Sequence, residues 1–208
     1  MALDEALLEL VAELGRPVLR FYSWNEPAAT FGYFQKYADV ELMTGLRPLL
    51  RRPTGGGLVP HKHDWTYSVA FPPGHEWYEI KAEASYRRVH EWIRDAFAQL
   101  ELNTELSPCC QKDMPGQCFI GAEKHDLLYG GKKIAGAAQR RNKHGLLIQG
   151  SVQPPPPNLS RTDWQAAMKQ VAELSWGVQW REFEKSTAPR VAELVREKYA
   201  LDAYNRKR

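Results

Sequence analysis

Residues 51–69, RRPTGGGLVPHKHDWTYSV, place two arginines, three consecutive glycines, two histidines and an aspartate in one short stretch. Bare backbone at Gly55, Gly56 and Gly57 lets N–H groups approach an anion or a narrow acyl chain, and Arg51 and Arg52 supply fixed positive charge. No Lys-Ser/Thr pair follows the glycines and the GxGxxG spacing is absent, so neither a Walker loop nor a dinucleotide fingerprint is expected. The competing reading is a tight hairpin with glycines at positive φ and solvent-facing arginines. His61, His63 and Asp64 follow directly. HxH spacing can aim two imidazoles at a metal with Asp64 as third ligand, but no further His or Cys stands at a customary distance. Hydrogen bonding that fixes the loop is the favoured reading, and no metal is expected.

Two other groups carry chemistry. In YGGKKIAGAAQRR, residues 129–141, two lysines leave a glycine turn and enter a strand of small residues. Alternation sends Lys132 and Lys133 to opposite faces, so one faces inward, where a fixed charge can stabilise an oxyanion or a phosphate. The alternative is an edge strand protected by lysines. Cys118, followed by Phe119, is the third group. A thiolate close to Lys133 or an arginine is a competent nucleophile toward a thioester; otherwise Cys118 is a small buried hydrophobe. Cys109 and Cys110 are adjacent and cannot reproduce the two-residue spacer of a zinc knuckle.

These residues need a scaffold. The 208 residues are 43% apolar and carry a net charge of +3, which suits a single domain over 1–208 and gives little bulk attraction for nucleic acid. No apolar run approaches a membrane span, and the acidic start MALDEALLEL lacks a secretory n-region, so a cytoplasmic protein without membrane or nucleic-acid partners is expected. Three cysteines in one stretch suit reduced thiols better than disulfides. Leu3, Leu7, Leu10 and Leu14 predict an amphipathic helix stopped at Gly15. Strands are predicted over 17–23 and near Ala29–Tyr33, with two or three more in 47–71, WTYSVAF being buried. A long helix is predicted from Tyr78 to Leu100 and a loop over 107–117. HDLLYG, KKIAGAAQRR and GLLIQGSV form a meander ended by PPPP at 154–157, and helices near Arg161–Glu173 and Pro189–Tyr199 close the chain. The fold class is α+β: a mixed, largely antiparallel sheet flanked by helices.

The order RRPTGGGLVPH, DWTYSV, CF, GGKKIAGAAQRR, GLLIQGSV resembles the lipoate-protein ligase and octanoyltransferase superfamily, which includes biotin-protein ligases, and MALDEALLEL is similar to that family's first helix. The arginine-rich glycine loop of biotin ligases is absent, which favours the lipoyl branch. The resemblance implies a pocket between glycine loop and lysine strand. It places Arg52, Gly55, Gly56, Gly57 and His61 on the acyl or adenylate wall, Gly136, Ala137, Gly150 and Ser151 beside the acyl chain, and Lys133 at the acyl carbonyl. Cys118 falls where cysteine-dependent octanoyltransferases place their nucleophile. The chain departs from relatives in starting at the helix, in His61-Lys62-His63-Asp64, in Gln149 where ligases often have histidine, and in ending near 208 without an accessory C-terminal domain. The leading expectation is transfer of an octanoyl or lipoyl group through a Cys118 acyl-enzyme onto the lysine of a lipoyl-domain protein. The donor is an acyl carrier protein or a lipoylated protein, and no cofactor is required. The alternatives are a lipoate ligase using ATP and Mg²⁺ through lipoyl-adenylate, and a non-catalytic acyl or lipoyl binder or subunit of a two-protein ligase.

Overall fold

A computed structural model describes residues 1–110 and 116–207. Residues 111–115 of the loop expected over 107–117 lie outside those described. The amphipathic start forms α1 (Ala2–Leu14), ended by Gly15 in the left-handed conformation; glycine adopts that conformation without a Cβ clash. The chain then gives β1 (Val18–Tyr22), β2 (Ala28–Phe31), α2 (Tyr37–Met43), β3 (Leu49–Arg51), β4 (Val59–His61) and β5 (Trp65–Phe71). Next come α3 (Glu76–Glu79), α4 (Ala82–Gln99), β6 (Glu105–Leu106), β7 (Leu127–Tyr129), β8 (Lys132–Asn142) and β9 (Gly145–Val152). The chain closes with α5 (Arg161–Trp176), α6 (Ala188–Leu194), a π-helical turn at Val195–Tyr199, and α7 (Asp202–Asn205).

One six-stranded sheet runs β1-β5-β9-β8-β7-β6, every neighbour antiparallel. The mixed character lies in a second sheet, β3-β2-β4, whose β2–β3 pair is parallel. The α+β expectation holds, with two sheets in place of one. All residues of β5 and β9 are buried, because both faces of these central strands are covered; hence their near-continuous apolar sequence. The main core packs β5, β9 and β8 against α4 and α5 through Tyr67, Val69, Ile93, Phe97, Ile148 and Trp164. The positive φ of Gly130 and Gly131 makes the tight β7–β8 hairpin that the GG dipeptide predicts.

Two elements differ from expectation. The helix predicted over Tyr78–Leu100 is broken at Ile80, which is extended. Arg141 donates to the Ile80 carbonyl at 2.6 Å and the Trp77 carbonyl at 3.3 Å, so a tertiary guanidinium takes acceptors that a continuous helix would use. Helix α2 was not expected: it buries only Tyr37 and Val40, too little periodicity to stand out. Among the described residues, no helix is long and apolar enough to cross a membrane.

His90 of α4 lies in this core, its Nδ1–H donating to the Tyr86 carbonyl at 2.9 Å and its Nε2 without a partner among the described residues. Burial pushes its pKa down from 6.5 to about 4, against the opposing pull of Asp126. Below pH 6.5 the unfolded chain takes a proton that the folded chain refuses, so stability falls with pH until folded His90 itself protonates near 4. The expected loss from this group is about 3 kcal/mol. Urea unfolding at pH 7 and pH 4.5 should show His90→Gln losing less stability than wild type over that interval.

Candidate active site

A cavity of about 610 Å³ lies between the two sheets, inside the roughly 300–1,000 Å³ range of small-molecule sites. Its floor is one row across the large sheet. Tyr22 pairs with Thr66, Thr66 with Ser151, and Ser151 with Gly136; directly opposed residues share a face, and all four line the cavity. The opposite wall is the glycine loop with Arg52, Thr30 and His61.

The lysine is aimed by a defect in the ladder. Leu128 pairs with Lys133 but Leu127 pairs with Ala135, so Ile134 is an extra residue on β8. Plain alternation would set Lys133 on the face of Ala135 and Ala137; the bulge turns it over Gly136 instead. A Cβ at Gly136 would stand 2.7 Å from Lys133 Cε, so this glycine makes room for the lysine. Strand β8 lies between β9 and β7, which removes the edge-strand reading. The Lys133 side chain is only 6% exposed, pairs with Asp126 Oδ2 at 2.7 Å, and donates to the backbone carbonyl of Cys118. Asp126 is fully buried, accepting also from the Glu123 N–H at 2.6 Å and from the Tyr86 hydroxyl. Burial and the neighbouring Asp126 raise the Tyr86 pKa well above its ordinary value, so Tyr86 remains a donor.

Cys118 stands against the glycine loop. Its Sγ accepts the Gly57 N–H at 2.9 Å, its own N–H donates to the Leu58 carbonyl at 3.1 Å, and Leu58 N–H donates to the Gly116 carbonyl at 2.8 Å. Arg52 faces the thiol and is tied by donors to the Gly55 and Gly57 carbonyls, both at 2.8 Å. Burial lowers the Arg52 pKa, while the charge and hydrogen bonding of Cys118 oppose the fall. A backbone donor and a guanidinium therefore stand ready for charge on the sulfur.

The three glycines serve different ends. Gly56 and Gly57 line the cavity. A Cβ on Gly57 would meet the Gly116 carbonyl oxygen at 2.5 Å, whereas a Cβ on Gly55 would meet nothing within 4 Å. Bare backbone at Gly57 thus admits the Cys118 segment. Gly57→Ala should cost about 1–3 kcal/mol and change the alkylation rate of Cys118 followed by peptide mass. Gly55→Ala should stay within about 0.5 kcal/mol of wild type.

From Arg52 a directed chain runs away from the thiol. Arg52 donates to Thr30 Oγ1 at 2.9 Å, Thr30 Oγ1 meets His61 Nε2 at 2.8 Å, and His61 Nδ1 meets Asp64 Oδ2 at 2.8 Å. Burial lowers the His61 pKa despite Asp64, so the ring is neutral with its proton on Nδ1, which donates to the Asp64 carboxylate and makes Thr30 the donor to Nε2. Burial alone would raise the Asp64 pKa, but the hydrogen bonds from His61 and Ser151 hold it below its ordinary value. His63 is exposed. The HxH pair therefore diverges, and His61 with Asp64 forms the loop-fixing hydrogen bond.

Several assignments change. Arg51, read with Arg52 as a charge holder, is fully buried and donates to the carbonyls of Tyr33, Gln35, Tyr204 and Asn205, clamping α7 to β3. Gly150 lines the cavity, but a Cβ there would stand 2.2 Å from the Tyr67 ring, so it makes room for a tyrosine. Ala137 and Ser151 line the cavity as expected. Gln149 joins Thr54 Oγ1 at 2.8 Å to Asp4 Oδ2 at 2.6 Å. Asp126 and Tyr86 escaped the sequence reading. The signal for Asp126 was a lone acid opening the apolar strand that the GG turn folds back against the lysines.

Residues 1–155 match the model of the lipoyl protein ligase A/B catalytic domain. The chain is 36% identical over 165 residues to the octanoyltransferase LipM of Macrococcus caseolyticus. It is 34% identical over 166 residues to that of Staphylococcus aureus. Each alignment covers 73% of this chain, and the chain spans 60% of the length of these curated relatives. A lipoate-protein ligase A bound with ATP superposes with a TM-score of 0.79 at 22% identity, covering 99% of this chain and 92% of that one. The bi-partite lipoate protein ligase of Thermoplasma acidophilum gives 0.73 at 20% identity, covering 99% and 89%. At these identities the structural likeness shows the fold.

Proposed function

Because the chain belongs to the lipoyl protein ligase A/B catalytic-domain family, we propose that it is an acyltransferase moving an octanoyl group from a carrier-protein thioester onto a lysine of a lipoyl-domain protein. The observation that carries this reading is Cys118: a free thiol lining the cavity, held by the Gly57 N–H and facing Arg52, its backbone carbonyl accepting from Lys133.

In the first half-reaction the Cys118 thiolate attacks the donor carbonyl. Lys133 spends two N–H groups on Asp126 and the Cys118 carbonyl and offers the third to the oxyanion. Collapse expels the carrier thiolate, which leaves as a thiol. In the second, the neutral amine of the acceptor lysine attacks the Cys118 thioester, the same N–H holds the second oxyanion, the nitrogen gives one proton to solvent, balancing the one the carrier thiolate took up, and the Cys118 thiolate departs. The net exchange is thioester for amide with release of the carrier thiol. The thioester is already activated, so the reaction requires no ATP.

Purified protein with octanoyl-carrier protein and a lipoyl domain should give octanoyl-lipoyl domain without ATP. Product that appears only with free acid and ATP, accompanied by pyrophosphate exchange, would move the reading to an adenylate-forming ligase.

A further inference from the structure

The end of the cavity remote from Cys118 is walled by polar residues, an unexpected surface for a saturated chain. Resting on the octanoyl reading, we infer that Asp64 is a specificity-determining residue: it ties up the Ser151 and Thr66 hydroxyls and the His61 imidazole from behind the wall, so that the end of the acyl chain is offered no free donor by them.

The floor row fixes the length. Gly136, Ser151, Thr66 and Tyr22 stand on four adjacent strands, so Tyr22 lies about 14 Å from Gly136 at the usual strand spacing. An octanoyl chain whose carbonyl sits at Lys133, over Gly136, has seven carbon–carbon bonds and extends roughly 9 Å. Its methyl end then lies over Thr66, beside His61 and Ser151.

The hydroxyls of Ser151 and Thr66 and the imidazole of His61 are all committed. Asp64 Oδ2 accepts Ser151 Oγ at 2.6 Å, His61 Nδ1 at 2.8 Å and Thr66 Oγ1 at 3.3 Å. Thr66 Oγ1 also accepts Trp24 Nε1 at 3.1 Å, Ser151 Oγ accepts Gln153 Nε2 at 3.3 Å, and His61 Nε2 accepts Thr30. The Trp24 ring stacks on His61 at 4.2 Å. Asp64 itself does not line the cavity; one oxygen behind the wall gathers three donors from three strands, β4, β5 and β9. A chain of octanoyl length that ends in a hydroxyl meets these groups already paired, one strand short of Tyr22, and loses its hydration on entry. Asp64 Oδ1 is buried without a donor among the described residues. Were it turned into the cavity, it would reward such a hydroxyl.

The test compares octanoic acid with 8-hydroxyoctanoic acid by calorimetry, which reads the cavity without requiring transfer. A failed transfer assay therefore leaves this proposal standing or falling on its own data. Wild type should prefer octanoic acid about tenfold or more. Asp64→Ala frees the Ser151 and Thr66 hydroxyls and should bring the ratio toward one. Asp64→Ala combined with Ser151→Ala and Thr66→Val should restore it. Asp64→Asn retains the side chain's size, serves where the alanine variant does not fold, and should give an intermediate ratio. Equal or better binding of the hydroxylated acid by wild type, or a ratio unmoved in both Asp64 variants, would overturn the proposal.

Discussion

Cys118→Ala is expected to abolish acyl transfer, lowering kcat/KM by at least about 10⁴-fold, in line with the loss of a covalent nucleophile elsewhere. The thiol takes part in few of the contacts that hold the fold. Its Sγ accepts one backbone N–H, and the segment is docked by the backbone bonds Cys118 N–H to Leu58 and Leu58 N–H to Gly116, which alanine keeps. The variant should therefore fold, bind octanoic acid and fail to turn over. Cys118→Ser separates geometry from reactivity: the hydroxyl can accept the Gly57 N–H, but among the described residues no base is bonded to it, so transfer should still fall by about 10²-fold or more. Transfer by Cys118→Ala at the wild-type rate, measured with octanoyl-carrier protein, would remove the covalent mechanism.

Lys133→Met carries the second large effect and acts twice. Loss of the oxyanion donor should slow acylation of Cys118 by about 10²–10³-fold in a single-turnover assay. Separately, the variant strands Asp126, a fully buried carboxylate paired with Lys133 at 2.7 Å, at a cost of about 3–5 kcal/mol. Lys133→Met with Asp126→Asn separates the two. The neutral amide can keep its oxygen toward the Glu123 N–H and turn its NH₂ to donate to the Tyr86 hydroxyl oxygen, so stability should largely return while the acylation rate does not. Recovery of both together would assign Lys133 a purely structural role.

The sheet was legible because its central strands announce themselves: WTYSVAF and GLLIQGSV are buried on both faces, and the GG turn fixes their neighbour. The division into two sheets was not, since three-residue strands such as β3 and β4 are stabilised by partners distant in sequence rather than by their own pattern. Arg51 and Arg52 are adjacent and alike in sequence. Only the fold shows that Arg51 clamps α7 through backbone carbonyls while Arg52 faces the cavity. Alternation leaves open which of Lys132 and Lys133 faces inward and the resemblance singles out Lys133; plain alternation would set it on the face opposite Gly136. The Ile134 bulge that corrects it exists only in the pairing with β7. Gly57 and Gly136 were read as room for a ligand chain; the space they leave admits the Gly116 carbonyl and the Lys133 side chain, neither of which a one-dimensional pattern contains.

Intact mass after incubation with octanoyl-carrier protein tests the central claim most directly. The account predicts a gain of one octanoyl group on the wild-type chain, mapped to Cys118, labile to hydroxylamine, absent from Cys118→Ala, and lost to the acceptor when a lipoyl domain is added. A wild-type chain that stays unmodified throughout a reaction yielding octanoyl-lipoyl domain, or an adduct on Lys133 in place of Cys118, would contradict it.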